Sequence, residues 1–492
     1  MTKAAAASGS PAAQGADRRV AVVGGGLAGM ASAAALAERG IRVTLLESRF
    51  ALGGRASSFE NREAEGAGEA ELLDNCQHVL LGCCTNLLDL YRRLGVEKDV
   101  TFHRTVTFLD ERGRRHELWG VGWLPAPLHL GLSMPVFGAL TLGERAAIVR
   151  GMLAMLRVGR RGRQRLEGVT FGEWLANHGQ GPELIRKFYD PVLISALNEE
   201  TRKVSAKYAI QVFQDAMLAH RRGYVVGLPN VPLGELYRSL PGVEVRLNTR
   251  VEEVIFEGAR AVGVRLRGGG GGEELRADAV VLATNHHAVQ RWIPAELKAV
   301  DARFAGLERL ESVPILGVHL WFDRPVMGPP LAAAALIEAP GENGLQWLFR
   351  KDQEGRVVHG VISAARGWER VPRDEALARF AAQVRGLFPA AREARLLRGV
   401  IVIEKRATFA PLPGVDLLRP QQRPPEGGIQ NLYLAGDYTR TDWPATMEGA
   451  VRSGYLAAEA VLADLSPAMT DRRVVVDDLG IEWPGRVLGL AR

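Results

Sequence analysis

The segment Gly24-Gly25-Gly26-Leu27-Ala28-Gly29 constrains this chain more than any other. It lies between an apolar run, Val20 to Val23, and an alanine-rich stretch, Ala31 to Arg39, so it reads as strand, tight turn and helix. That geometry turns bare backbone N–H groups and the positive end of a helix toward a pyrophosphate. Gly24 permits the turn, Gly26 lets phosphates approach the main chain, and Gly29 lets the helix lie close to the strand. Gly40 closes the helix, Ile41 to Leu46 gives a second strand, and Glu47 stands at its end, about twenty residues on. A carboxylate there accepts hydrogen bonds from ribose hydroxyls and repels a 2′-phosphate. Adenosine cofactors without that phosphate are favoured.

A second glycine pair follows in Glu47-Ser48-Arg49 and Gly53-Gly54-Arg55. Backbone at Gly53 and Gly54 can approach a long cofactor while Arg55 supplies charge-assisted bonds. Near the other end, Leu434-Ala435-Gly436-Asp437 places an acid at a strand end, suited to ribityl hydroxyls. A helix opened by Pro444 and carrying Thr446 and Met447 at its start aims its positive end at the N1/O2 edge of an isoalloxazine. That would stabilise an anionic reduced ring by about 1–2 kcal/mol. Val251, at the head of an expected strand from 250 to 256, joins this cofactor set. A nicotinamide needs neither terminal element, so the cofactor expected is FAD. Only one GxGxxG occurs, so a dedicated NAD(P)H domain is not expected; electrons would pass through an exchangeable carrier or another protein.

At 492 residues the chain can bury a large core, and 47% hydrophobic with 24% charged residues is a globular composition. No apolar run approaches the roughly 18–20 residues that span a bilayer. Met1 to Asp17 is rich in Ala, Gly and Ser without an apolar stretch, and is expected to be a disordered tail of a cytoplasmic protein. Cys76, Cys83 and Cys84 lack the spacing of a zinc site, so no metal is expected. Basic and aromatic residues are not interleaved as for nucleic acid.

The expected class is α/β, a Rossmann-like FAD-binding domain interleaved with an α+β substrate-binding domain. The first takes residues 18–100, 224–293 and 426–466; the second takes 101–223 and 294–425; 467–492 is a patternless tail. The glycine run Gly268 to Gly272 reads as the turn of a loose hairpin.

The paired terminal motifs resemble the glycine-doublet FAD oxidoreductases, the group of amine oxidases and phytoene desaturases, over about residues 18–462. Within that group, Leu73-Asp74-Asn75-Cys76-Gln77-His78-Val79-Leu80-Leu81-Gly82 is similar to the D-x-G-Q-H-x-x-L-G stretch of hydroxysqualene dehydroxylases, with Cys76 where glycine is usual. Tyr189-Asp190-Pro191-Val192-Leu193, Ala196-Leu197-Asn198 and Gly227-Leu228-Pro229 extend the resemblance. It implies replacement of the hydroxyl of hydroxysqualene by hydrogen, giving squalene for bacterial hopanoid synthesis. An acid protonates the allylic hydroxyl, water leaves, and the cation takes hydride from reduced flavin. His78 is the first candidate for that acid, with Asp74 holding its tautomer or sharing the proton and Gln77 orienting the hydroxyl. Asp190, on an expected loop, is the competing acid, and Asn198 is a candidate for substrate contact or a helix cap. Trp443 and Trp123 are candidate cation stabilisers, worth about 0.5–2 kcal/mol.

A long apolar isoprenoid substrate lives in lipid. The arginines Arg157, Arg160, Arg161, Arg163 and Arg165, after the helical stretch Ala146 to Leu156, could dock on the inner face of the cytoplasmic membrane or simply end a core helix. Two other functions fit the same cofactor. One is a carotenoid-type desaturase, removing hydride from a polyene; the other is a non-catalytic, flavin-bound scaffold for prenyl-transfer enzymes.

Overall fold

The structure, a computed structural model, describes residues 18–61, 71–268, 272–337 and 344–492. The expected N-terminal tail and the middle of the glycine run 268–272 lie outside the described residues. The strands flanking that run, Arg260–Leu266 and Glu274–Arg276, pair antiparallel.

Five strands form a parallel sheet in the order Glu244–Arg246, Arg42–Leu46, Arg19–Val23, Ala279–Leu282 and Leu432–Leu434. Val22 sits opposite Leu45 on one side and Val281 on the other, and Val281 opposite Tyr433. Near-continuous Val, Leu and Ala runs suit such strands, because both faces of a parallel sheet are covered. Helix Leu27–Ala37 covers one face and is buried on nearly every side. Helix Met447–Leu465 packs against it so closely that a Cβ on Gly454 would overlap the carbonyl oxygen of Ala28. The first and last thirds of the chain thus share one core, and the α/β, Rossmann-like class expected from the glycine turn is present.

A seven-stranded, mainly antiparallel sheet carries the rest. Its order is Leu396–Phe409, Ser312–Phe322, Val357–Ile362, Trp347–Arg350, Ala333–Leu336, Thr105–Leu109 and Arg115–Trp119, with one parallel pairing, between 333–336 and 105–109. Period-two alternation divides its residues. Leu316, Val318, Leu320 and Leu348 enter a core beneath helix Arg373–Leu387, whereas Trp347 and Phe349 face the large cavity described below.

Two segments are anchored by contacts that the sequence does not mark. Within residues 467–492, Leu490 is fully buried and Val474 nearly so. Asp478 pairs with Arg452, and Glu482 accepts from Arg221 at 2.6 Å. The signal was weak because these residues use side-chain anchors rather than a periodic pattern. In the arginine cluster, helix Leu142–Gly162 turns Arg160 inward, and Arg163 follows, each 3.0 Å from Asp215. Arg157, Arg161 and Arg165 are exposed.

A buried pair ties the last parallel strand in place. Asp301 accepts from the Arg303 main chain and guanidinium and from the Ile429 N–H, while Arg303 donates to the carbonyls of Gln422 and Leu432. Burial opposes the Asp301 charge, but the hydrogen bonds and charge of Arg303 outweigh it and hold the carboxyl below its ordinary range. A depressed carboxyl contributes stability that is present above the unfolded value near ~4 and drains away as pH falls through the lower folded value. Asp301→Asn is expected to cost about 2 kcal/mol at neutral pH, the worth of charge-assisted bonds, and to make acid unfolding shallower. Urea midpoints across pH check both.

Candidate active site

The C-terminal ends of the parallel strands open into a cavity of about 1200 Å³, beyond the roughly 300–1,000 Å³ of ordinary ligand sites. It extends from Val23, Leu46 and Ala283 at those strand ends to Ile315, Trp347 and Phe349 on the seven-stranded sheet. Ligands of open parallel sheets bind at this edge.

Of the sequence-derived cofactor set, Gly24, Gly26, Glu47, Arg49, Gly53, Gly54, Arg55, Val251, Gly436, Asp437, Thr446 and Met447 all lie on the cavity wall. Gly29 stands behind it, where a Cβ would overlap the carbonyl oxygen of Gly24. Gly24 has φ +109°, and a Cβ there would lie 2.7 Å from the Ala283 carbonyl oxygen. Gly26 differs, because its missing side chain leaves open space whose nearest neighbour is the Gly54 Cα at 4.0 Å. Gly26 also starts helix 27–37 without a side-chain cap, so the helix's first N–H groups remain for an anion.

Glu47 is held for its task. Its carboxylate accepts from the Gly25 N–H at 2.7 Å and the Arg49 N–H at 2.8 Å. Across the cavity, Arg55 lies 2.7 Å from Asp437 and also donates to the Ala407 carbonyl. Burial would lower the Arg55 pKa, yet Asp437 overcomes it and the guanidinium stays charged. Helix 447–465 is capped by the Thr446 hydroxyl, which accepts from the Gly449 N–H at 3.1 Å; the helix therefore opens at Thr446 rather than at Pro444. Four buried side-chain atoms on the wall, Gln211 Nε2 and Oε1, Thr284 Oγ1 and Trp443 Nε1, have no protein partner. A glycine cradle, a fixed ribose acceptor, an Arg–Asp pair and unclaimed donors together fit FAD.

The four candidates for chemistry separate. Gln77 and His78 line the cavity, whereas Asp74 and Asp190 do not. Asp74 accepts from Ser58 Oγ and the Leu233 N–H, both at 2.8 Å, and from Lys351 Nζ at 3.1 Å. It therefore does not hold the His78 ring, contrary to expectation. That role belongs to the Cys76 carbonyl, 2.9 Å from His78 Nδ1. A ring nitrogen facing a carbonyl must carry the proton, so neutral His78 keeps its Nε2 lone pair free. Burial pulls the His78 pKa below the ordinary imidazole value, against the raising influence of the Cys76 bond and Asp74.

Asp190 lies inside a continuous helical run, in which the π-turn Ile185–Tyr189 leads directly into helix Asp190–Leu197, instead of on a loop. The cavity face of that helix is Val192, Ser195 and Ala196, an i, i+3, i+4 set that leaves Asp190 on the far side. Burial pushes its carboxyl up. Asn198 reaches the wall but spends its amide on Val313, Thr408 and Ala364; in the left-handed region at φ 53° it ends the helix. Cys76 is absent from the positive-φ residues, so replacing glycine there needs no strained backbone. Burial pushes its thiol up to about 12.

Sequence reasoning missed Lys351, which also donates to Gln77 Oε1 at 3.0 Å. The two residues lie 274 positions apart, and nothing local marks the lysine. It also missed Trp347 and Phe349, stacked with ring centroids 5.8 Å apart; their alternation around Leu348 was the available signal. Trp443 lines the cavity, but Trp123 is 75% exposed and lies away from it.

Comparison with known proteins agrees with this geometry. The chain is 26% identical to a zeta-carotene desaturase of Synechocystis sp., covering 92% of this chain and 99% of that one. It is also 26% identical to a 15-cis-phytoene desaturase of an Oncidium hybrid cultivar, covering 90% and 78%. Among solved structures, an oxidoreductase from Methanosarcina mazei superposes with TM-score 0.65 at 16% identity, covering 89% and 98% of the two chains. Cyclohexylamine oxidase from Brevibacterium oxydans gives 0.63 at 19% identity, covering 91% and 99%. Those two likenesses establish the fold. Residues 27–462 match the family described as flavin containing amine oxidoreductase; the chain belongs to that family, and FAD is its cofactor.

Proposed function

We propose that the protein carries hydride between FAD and a long apolar isoprenoid, and that its reaction is the reductive dehydroxylation of hydroxysqualene to squalene. The observation that carries this reading is the pair Gln77 and His78 on the wall of a largely aliphatic and aromatic cavity. A hydrocarbon polyene has no use for them; an alcohol does. When bound and reduced, FAD supplies the hydride that replaces the hydroxyl, and when oxidised it can accept one.

The residues divide the remaining work. His78 Nε2 accepts the substrate O–H and, once the ring is protonated, returns a proton so that oxygen leaves as water. Gln77, held at Oε1 by Lys351 and donating one amide N–H to the His78 carbonyl, presents its other N–H to the same oxygen. Trp347 and Phe349 offer stacked faces to the positive charge that develops along the chain, worth about 0.5–2 kcal/mol. The balance is one alcohol, one hydride and one proton giving one water and a C–H bond in place of the C–O bond.

A second reading is carotenoid-type desaturation, and the comparisons support it better than the first, since the relatives named above are zeta-carotene and phytoene desaturases. In that direction the apolar wall alone would matter and the polar pair would be structural. Anaerobic, photoreduced protein mixed with hydroxysqualene is expected to regain the oxidised flavin spectrum and yield squalene. No reoxidation there, with bleaching of the oxidised protein by phytoene or zeta-carotene, would replace dehydroxylation by desaturation. Silence toward both would leave the scaffold role.

A further inference from the structure

Large apolar side chains stand in solvent across one connected region. Trp123, Leu128, Leu132 and Val136 lie between the seven-stranded sheet and helix 142–162, and Trp483 and Val487 belong to the C-terminal turn. Trp123 is 75% exposed and Trp483 66%, far beyond what a single stray apolar residue requires. These segments are tied together. Glu482 accepts from the Ala126 N–H and from Arg221, which also donates to the carbonyls of Gly122 and Trp123. The N–H groups of Arg160 and Arg161 donate at 3.0 Å to the carbonyls of Leu490 and Arg492.

Helix 142–162 contributes a matching face. Leu142, Ala146, Val149, Arg150 and Arg157 are all exposed, and their spacing puts them on one stripe; Arg161, also exposed, follows the break in the helix at Gly159. The stripe is apolar at its start, basic toward its end, and carries no acid. Arg160 and Arg163 turn inward and share the carboxylate of Asp215, whereas Arg150, Arg157 and Arg161 form no ion pair among the described residues. The cavity also approaches this side: Tyr224, on its wall, accepts from the Gly120 N–H at 2.8 Å, three residues before Trp123.

We propose that this face docks on an anionic lipid bilayer, with Trp123 and Trp483 at headgroup depth and Arg150, Arg157 and Arg161 over lipid phosphates. Exposed tryptophans beside aliphatic residues favour the interfacial layer, and unpaired arginines supply the charge complement of anionic headgroups. The docking holds whichever isoprenoid the cavity takes. It differs from the arginine cluster read in the sequence, because two of those five arginines are structural.

The FAD-loaded full chain is expected to sediment with mixed phosphatidylcholine–phosphatidylglycerol vesicles. Near such a surface each arginine is worth about fivefold in affinity, so the combined change Arg150→Gln, Arg157→Gln and Arg161→Gln should weaken binding on the order of 100-fold, with a shallower salt dependence. Brominated lipid should quench part of the tryptophan emission, and Trp123→Phe with Trp483→Phe, which keeps the fold, should remove that part. A wild-type protein that stays in the supernatant, or a triple variant that sediments like wild type, overturns the proposal. So does a stable dimer in solution that hides this face from vesicles. Turnover in detergent micelles separates this from the substrate assignment: vesicle binding without turnover would sink the reaction alone, and turnover without vesicle binding would sink the docking alone.

Discussion

Gly29→Ala is expected to give a folded but colourless protein. The new methyl would overlap the Gly24 carbonyl oxygen, a main-chain atom of the turn itself, so no side chain can rotate away to relieve it. Helix 27–37 must then lift from strand 19–23, carrying its uncapped N-terminus away from the place a pyrophosphate would occupy. Overpacking typically costs about 1–3 kcal/mol; against fixed backbone the upper end applies, and about 3 kcal/mol is at least 100-fold in cofactor affinity. Gly386→Ala is the control, since a Cβ there meets nothing within 4 Å, and it should purify yellow. Flavin absorbance per protein and a dilution series measure the difference. A Gly29→Ala protein that retains flavin as tightly as wild type would remove the glycine turn from the cofactor site.

His78→Phe is expected to lower turnover of hydroxysqualene by about 10²- to 10⁴-fold, the usual range for a lost general acid, without changing flavin content. The pH dependence carries the sign. The His78 pKa is depressed, chiefly by burial, and the acid form does the work, so kcat/KM should fall as pH rises above that lowered value and level off below it. The variant should lack this limb. Lys351→Met should act more mildly, through loss of the Gln77 anchor, raising KM more than it lowers kcat. If His78→Phe leaves the rate and its pH profile untouched, the polar pair is wall and the desaturase reading gains.

What the sequence made legible follows from the range of the interactions. The strand-turn-helix at Gly24 and the acid at Glu47 are set by contacts within about two dozen residues, and pattern alone finds them. The Asp74 assignment failed for the opposite reason. Its partners Ser58, Leu233 and Lys351 come from three separate parts of the chain, whereas proximity in sequence pointed to His78. Asp190 was misplaced because a following proline was read as a loop, whereas the chain is already helical from Pro182 and Pro191 sits inside that run, just after the π-turn Ile185–Tyr189. Arg160 and Arg163 show the same limit, since nothing in a run of arginines reveals that Asp215 awaits two of them.

The order of the parallel sheet has a consequence for biogenesis. Strand 19–23 leaves the ribosome about 400 residues before strand 432–434, which delivers Gly436 and Asp437. Chains synthesised from the N-terminus at about 5–20 residues per second would spend tens of seconds with only part of the nucleotide cradle assembled. Flavin insertion therefore waits until strand 432–434 has been made, and scarcity of riboflavin during growth should show as apoprotein that contains both halves of the cradle rather than as chains stalled between them.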